Sequence, residues 1–216
     1  MIDILMASAM LLPLLIVTVF WYAARKRPGS RRFVIPLAAG WAVGFIGSLV
    51  WGVHDMVASD SLPPLSWVDG FFILRDLLHL FAFLRITSAP MSRRRIVAVC
   101  GALLVAVVAV LVGYTGLERA EGTAALAYWG GAIYLVLGTA VLGVALMRWP
   151  VVKDPMVRRA ARWVTAALLI YFAANVAQFL SLVGNQAGST LALLLWPLSD
   201  LAALVGAISL ARGRLG

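Results

Sequence analysis

Long apolar runs broken by short polar connectors dominate this chain. A membrane span needs about 20 mostly apolar residues. Seven stretches meet that length, at 3–24, 33–57, 66–85, 95–115, 123–147, 159–184 and 189–211. The pattern predicts an all-α membrane protein, a bundle of seven transmembrane helices in one domain covering 1–216. The connectors are short, so helices consecutive in sequence are expected to be neighbours, with no room for a soluble domain. Pro28-Gly29, Pro63-Pro64, Pro150 and Pro155 punctuate the connectors. Pro13 and Pro197 fall inside spans, where a kink is expected. Gly44, Gly47, Gly130, Gly131, Gly138 and Gly143 offer small faces for close helix approach.

Composition agrees with the pattern. The 216 residues are 63% hydrophobic and 12% charged, with a mean hydropathy of +0.98, too little polar surface for a soluble domain of this size. The first apolar run, Ile4 to Phe20, lacks a basic leader and a small-residue cleavage site, so a retained helix is expected and not a signal peptide. The net charge of +9 points away from nucleic acid, because its basic residues sit in connectors between spans. The partner expected from composition is the lipid bilayer.

Placement of charge also predicts orientation. Arg25, Lys26, Arg27, Arg31 and Arg32 fill the first connector. Arg85, Arg93, Arg94 and Arg95 flank the third, and Arg148, Lys153, Arg158, Arg159 and Arg162 the fifth. Arg212 and Arg214 end the chain. With seven spans these share one side. The other side has Arg119 but carries Asp3, Asp55, Asp60, Asp69, Glu118 and Glu121. The positive-inside rule then places the N-terminus outside and the C-terminus in the cytoplasm. Trp67, Trp149 and Trp163 lie where interfacial indoles are expected.

The third span is the unusual one. SWVDGFFILRDLLHLFAFLR, Ser66 to Arg85, carries Arg75, Asp76 and His79 near its middle. Ionisable groups at that depth persist when paired, hydrated or functional. Spacings of three and four put them on one broad helix face, which should point into the bundle. Asp200 lies near the centre of the seventh span, at a similar depth. Two readings stay open: a structural pair, with Arg75 expected to meet Asp200 more directly than its neighbour Asp76, or a binding or proton-responsive centre. Tyr171, Asn175 and Gln178 form a polar stripe on the sixth span, and the fifth adds Tyr134. Trp51, His54, Asp55, Trp67 and Asp69 are candidates to line a cavity open to the outer side. Such an aromatic-rich cavity suits a small, partly apolar ligand; ordinary interhelical hydrogen bonding and an aromatic belt explain the same residues.

Recognised chemistry is sparse. His54 and His79 are the chain's two histidines, too few for a three-histidine zinc centre. Their different depths argue against paired haem ligation. There is no nucleophile turn and no phosphate-binding glycine loop. No metal site is expected. Cys100, the single cysteine, lies in an apolar run and is expected to be a buried, inert thiol.

Two resemblances follow from these motifs. Trp51 to Leu84, with PPLSWVDGFFILRDLLHLFAFL, resembles the multi-span sensor modules that precede histidine kinase or diguanylate cyclase domains in bacteria. This chain ends at Gly216 without a catalytic domain. That resemblance implies a sensor in the bacterial inner membrane that binds a small ligand within the bundle and signals through a separate effector or membrane partner. The second is to microbial opsins, whose topology agrees and whose final helix is similar to SDLAALVGAISLARGR. In opsins an Asp precedes the retinal-binding lysine by four residues. Asp200 would match the counter-ion position and Leu204 the lysine position. The chain's two lysines, Lys26 and Lys153, lie in connectors, so no covalent retinal is expected. A noncovalent polyene, an accessory-subunit role, a small transporter or a membrane enzyme remain alternatives, and a homo-oligomer is compatible with all of them. The cofactor is not specified.

Overall fold

The computed structural model describes residues 2–57, 62, 65–116, 123–182 and 187–212. Side chains are described for these except at 2–10, 115–116, 123–124 and 182. Seven α-helices account for most of them: α1 (Ile2–Lys26), α2 (Arg31–Val57), α3 (Asp69–Arg85), α4 (Arg93–Gly116), α5 (Thr123–Arg148), α6 (Pro155–Leu182) and α7 (Ala187–Ala211). Short 3-10 turns at Pro28–Ser30 and Trp149–Val151 join α1 to α2 and α5 to α6. No strand occurs among the described residues.

The helices follow the apolar runs closely, and local chemistry explains the main departure. α6 starts at Pro155, four residues before the expected boundary. The Asp154 carboxylate accepts the backbone N–H groups of Met156 at 2.8 Å and Val157 at 3.2 Å. Asp154 thus caps a helix whose first residue, proline, needs no hydrogen-bond acceptor.

Five stretches are long and apolar enough to cross a membrane: Pro28–Val57, Arg93–Tyr114, Ala125–Val151, Pro155–Ser181 and Ala187–Ala211. The protein is therefore a helical, multi-pass membrane protein. α3 is different. It has 17 residues, about 25 Å at the α-helical rise, against a hydrocarbon core of about 30 Å. It also holds Asp69, Arg75, Asp76 and Arg85.

α1, α2, α3, α5, α6 and α7 close a ring in that order, with α7 returning to α1. α4 stands outside it, packed chiefly on α5. Only 11% of the α4 span is buried. This position overturns two expectations: α4 packs on α5 instead of on α3, its predecessor in sequence, and Cys100 is exposed. An apolar helix touching one neighbour turns most of its surface to lipid, and Cys100 lies on that surface.

The basic turns gather at one end of the ring. Arg148 donates to the Ala89 carbonyl, and Arg95 Nη1 to Met147 O at 3.4 Å, tying the α3–α4 and α5–α6 connectors together. The main apolar core fills this half, with Phe20, Phe33, Leu37, Phe83, Val164 and Leu210 fully or almost fully buried. Phe33 and Phe83 meet edge to face at 5.3 Å. A smaller aromatic cluster of Tyr114, Tyr128, Trp129 and Phe179 joins α4 to α5 and α6 towards the opposite end.

Candidate functional site

The site begins with three glycines on α2. Gly40, Gly44 and Gly47 recur at spacings of four and three, forming one buried stripe. A Cβ at Gly40 would come within 2.6 Å of the His79 ring, and one at Gly44 within 2.7 Å of Arg75 Cδ. At Gly47 the neighbour would be Phe71 Cβ at 2.9 Å. The missing side chains are what let α3 press its polar face against the α2 backbone.

Arg75, Asp76 and His79 occupy that face, as their spacing implies. Arg75 Nε donates to Asp76 Oδ1 at 2.9 Å, and Nη2 lies 2.9 Å from the same oxygen. The side chains are 13% and 4% exposed, so the pair is internal to the protein. The guanidinium also lies over the Tyr171 ring, 4.1 Å from its centroid, and 5.5 Å from that of Phe72. Stacking of this kind suits the flat, weakly hydrated guanidinium.

The expected Arg75–Asp200 pair is not formed. α3 packs against α2 and α5, whereas α7 packs against α1 and α6. A flexible arginine can fold back onto the adjacent carboxylate, and that shorter route takes its Nε–H. Asp200 instead accepts a hydrogen bond from Trp41 Nε1 at 3.1 Å. The Trp41 ring in turn lies 4.3 Å from the His79 ring, tilted by 40°. An indole between α7 and α3 thus stands where the ion pair was expected.

Towards the other end of α3, Asp69 is buried. It accepts the Tyr134 hydroxyl at 2.6 Å and the Ser66 hydroxyl at 3.3 Å. The structure therefore joins α3 to α5 through Asp69–Tyr134, to α6 through Arg75–Tyr171 and to α2 through His79–Trp41.

Several polar atoms inside this ring lack a hydrogen-bond partner among the described residues. They include Arg75 Nη2, Asp76 Oδ2, both ring nitrogens of His79 and Asn175 Nδ2, while His54 Nδ1, Arg148 Nε and Trp196 Nε1 are in the same condition elsewhere. Asp76, His79 and Asn175 are 3%, 2% and 8% exposed. Buried groups of this kind are normally satisfied, so their concentration around one stretch of α3 marks the site. Gln178, the last member of the α6 stripe, is half-buried.

The outer-cavity candidates divide. Asp69 belongs to the interior network. Trp51 and Asp55 on α2 are exposed, and His54 is half-buried with Nδ1 4.0 Å from Asp55. Trp67 is 69% exposed and contacts Phe71 at 6.1 Å. Leu204, one turn beyond Asp200, is partly buried against the main apolar core.

Trp41 and Gly40 were not among the sequence candidates. A usable signal existed: Trp41 sits mid-span, away from the interface where indoles usually lie, and a buried indole N–H needs an acceptor.

No family model, curated protein or solved structure matches the chain.

Proposed function

We propose that this protein is a membrane sensor or receptor-like module. In this reading it spans the bacterial inner membrane seven times, with its N-terminus outside and basic end in the cytoplasm. A small ligand is received in the polar interior, and the change passes to a separate partner at the cytoplasmic end. The observation that carries the reading is the set of unpartnered polar atoms on Asp76, His79 and Asn175, buried inside a closed helix ring. Groups that cost stability unless satisfied are best explained by something they bind. Links from α3 to α2, α5 and α6 supply a route by which occupancy would shift several helices together.

A thermal-shift screen of small polar and partly apolar metabolites, on protein in nanodiscs, tests this. A stabilising compound whose effect is lost in Asn175→Leu and Tyr171→Phe supports the reading. Hits indifferent to both substitutions, or none, overturn it. A second reading, a small transporter, draws on the string of ionisable groups from Asp69 through Arg75 and Asp76 to Asp200. Ion-dependent uptake into vesicles would favour it.

A further inference from the structure

We propose that Asp200 is a hydrogen-ion binding site, and that Trp41 reports its occupancy to α3. This deepens the reading of the polar interior as a receiving centre and rests on it for the consequence of binding.

The argument is one of charge and space. Two carboxylates, Asp76 and Asp200, lie near mid-span with one permanent cation, Arg75. Arg75 Nε donates to Asp76 Oδ1, and Nη2 lies 2.9 Å from the same oxygen. Asp200 receives the neutral Trp41 indole N–H at 3.1 Å.

Among the described residues no other cation is at hand. On α1, packed against α7, no ionisable side chain occurs between Leu11 and Phe20. α6, its other neighbour, has Tyr171 beyond Arg162. α2, which contributes Trp41, has none between Arg32 and His54. α3 presents Arg75, Asp76 and His79, and Arg75 reaches Asp200 electrostatically without pairing with it. α5 presents Tyr134, which is bound to Asp69.

A carboxylate at this depth with one neutral donor needs a counter-charge. A hydrogen ion fits. One proton leaves bulk water and forms one O–H bond on Asp200, and nothing else is transferred. The neutral acid still accepts from Trp41 through its carbonyl oxygen, more weakly, and gains a donor of its own. The Trp41 ring rests on His79 at 4.3 Å, so a loosened indole changes the contact of α2 with α3.

The test is infrared difference spectroscopy of the purified full chain in phosphatidylcholine nanodiscs, between about pH 8 and pH 5. Acidification should produce the C=O band of a protonated carboxyl group. The band should vanish in Asp200→Asn, whose amide oxygen can still accept from Trp41. It should persist in Asp69→Asn, and in Asp200→Glu with a displaced midpoint. Trp41→Phe should keep the band and move its midpoint to higher pH by about 1 unit, the size of one neutral hydrogen bond. A band surviving in folded Asp200→Asn overturns the proposal, as does no band in the unaltered chain. A midpoint that moves with sodium at constant ionic strength also overturns it, showing a metal cation in place of the proton. The spectrum reads bound protons whether or not a metabolite binds, so an empty ligand screen and a missing band are separate failures.

Discussion

The α2–α3 and α6–α7 seams are both built on small residues, yet they hold opposite contents. At α2–α3, the Gly40–Gly44–Gly47 stripe receives an imidazole, an arginine stem and an aromatic side chain. At α6–α7, Ala160, Ala161 and Ala167 face a helix carrying Ala203, Gly206 and Ala207, all buried. A polar side-chain link there is Ser199 Oγ donating to the Ala167 carbonyl at 2.9 Å. A Cβ at Gly206 would lie 3.1 Å from Ala160 O. One seam uses close approach to shelter charge; the other uses it for backbone-to-backbone packing, the ordinary means of helix association in lipid. The small-residue pattern alone does not reveal which.

Breaking the polar seam should have the largest effect. Arg75→Gln or Asp76→Asn strands a buried charge and should each destabilise the protein by about 3–5 kcal/mol. The double substitution should cost clearly less than the sum in a thermal double-mutant cycle in detergent. Additive costs would show that the 2.9 Å pair carries no coupling.

Overpacking comes next. Gly40→Ala puts a methyl group against the His79 ring, where a Cβ has 2.6 Å, and should cost about 1–3 kcal/mol. Gly101→Ala on α4 meets nothing within 4 Å and should leave the melting temperature unchanged or slightly raised. Equal effects at the two sites would erase the distinction between ring and outer helix.

The Trp41–Asp200 hydrogen bond should be worth about 1 kcal/mol, read as the stability lost in Trp41→Phe beyond the change in ring size. Ser199→Ala should cost less, about 0.5 kcal/mol, because Ala167 O lies within a helix that already uses it. If Ser199→Ala proves the more damaging, the α6–α7 seam depends on hydrogen bonding more than its composition implies. The smallest effect is expected at Cys100. A lipid-soluble maleimide should label it in the folded protein without lowering stability, since the thiol is exposed on α4.

Much of the helical layout was legible because length and apolarity are local properties. The runs at 33–57, 95–115 and 123–147 return as α2, α4 and α5 with ends within two residues. The polar face of α3 was legible from spacing, and so was the inward stripe of Tyr171 and Asn175. The early start of α6 was readable in principle from Asp154-Pro155, a cap followed by proline. The burial of Cys100 was misjudged because an apolar run looks the same whether it faces protein or lipid.

The sequence by itself determined that this chain is a set of apolar helices, five of them long enough to cross a membrane, and that charge lies inside the third helix. Covalent order and hydropathy suffice for that, since a backbone in lipid must bond to itself. Which charges pair was decided by tertiary structure. Arg75 and Asp200 each lie near the middle of their helices, but α3 sits between α2 and α5 while α7 sits between α1 and α6. Arg75 gives its Nε–H to Asp76, and Asp200 accepts from Trp41. Depth is a coordinate along one helix and can be counted from sequence; the position of that helix around a ring depends on how all the other faces pack.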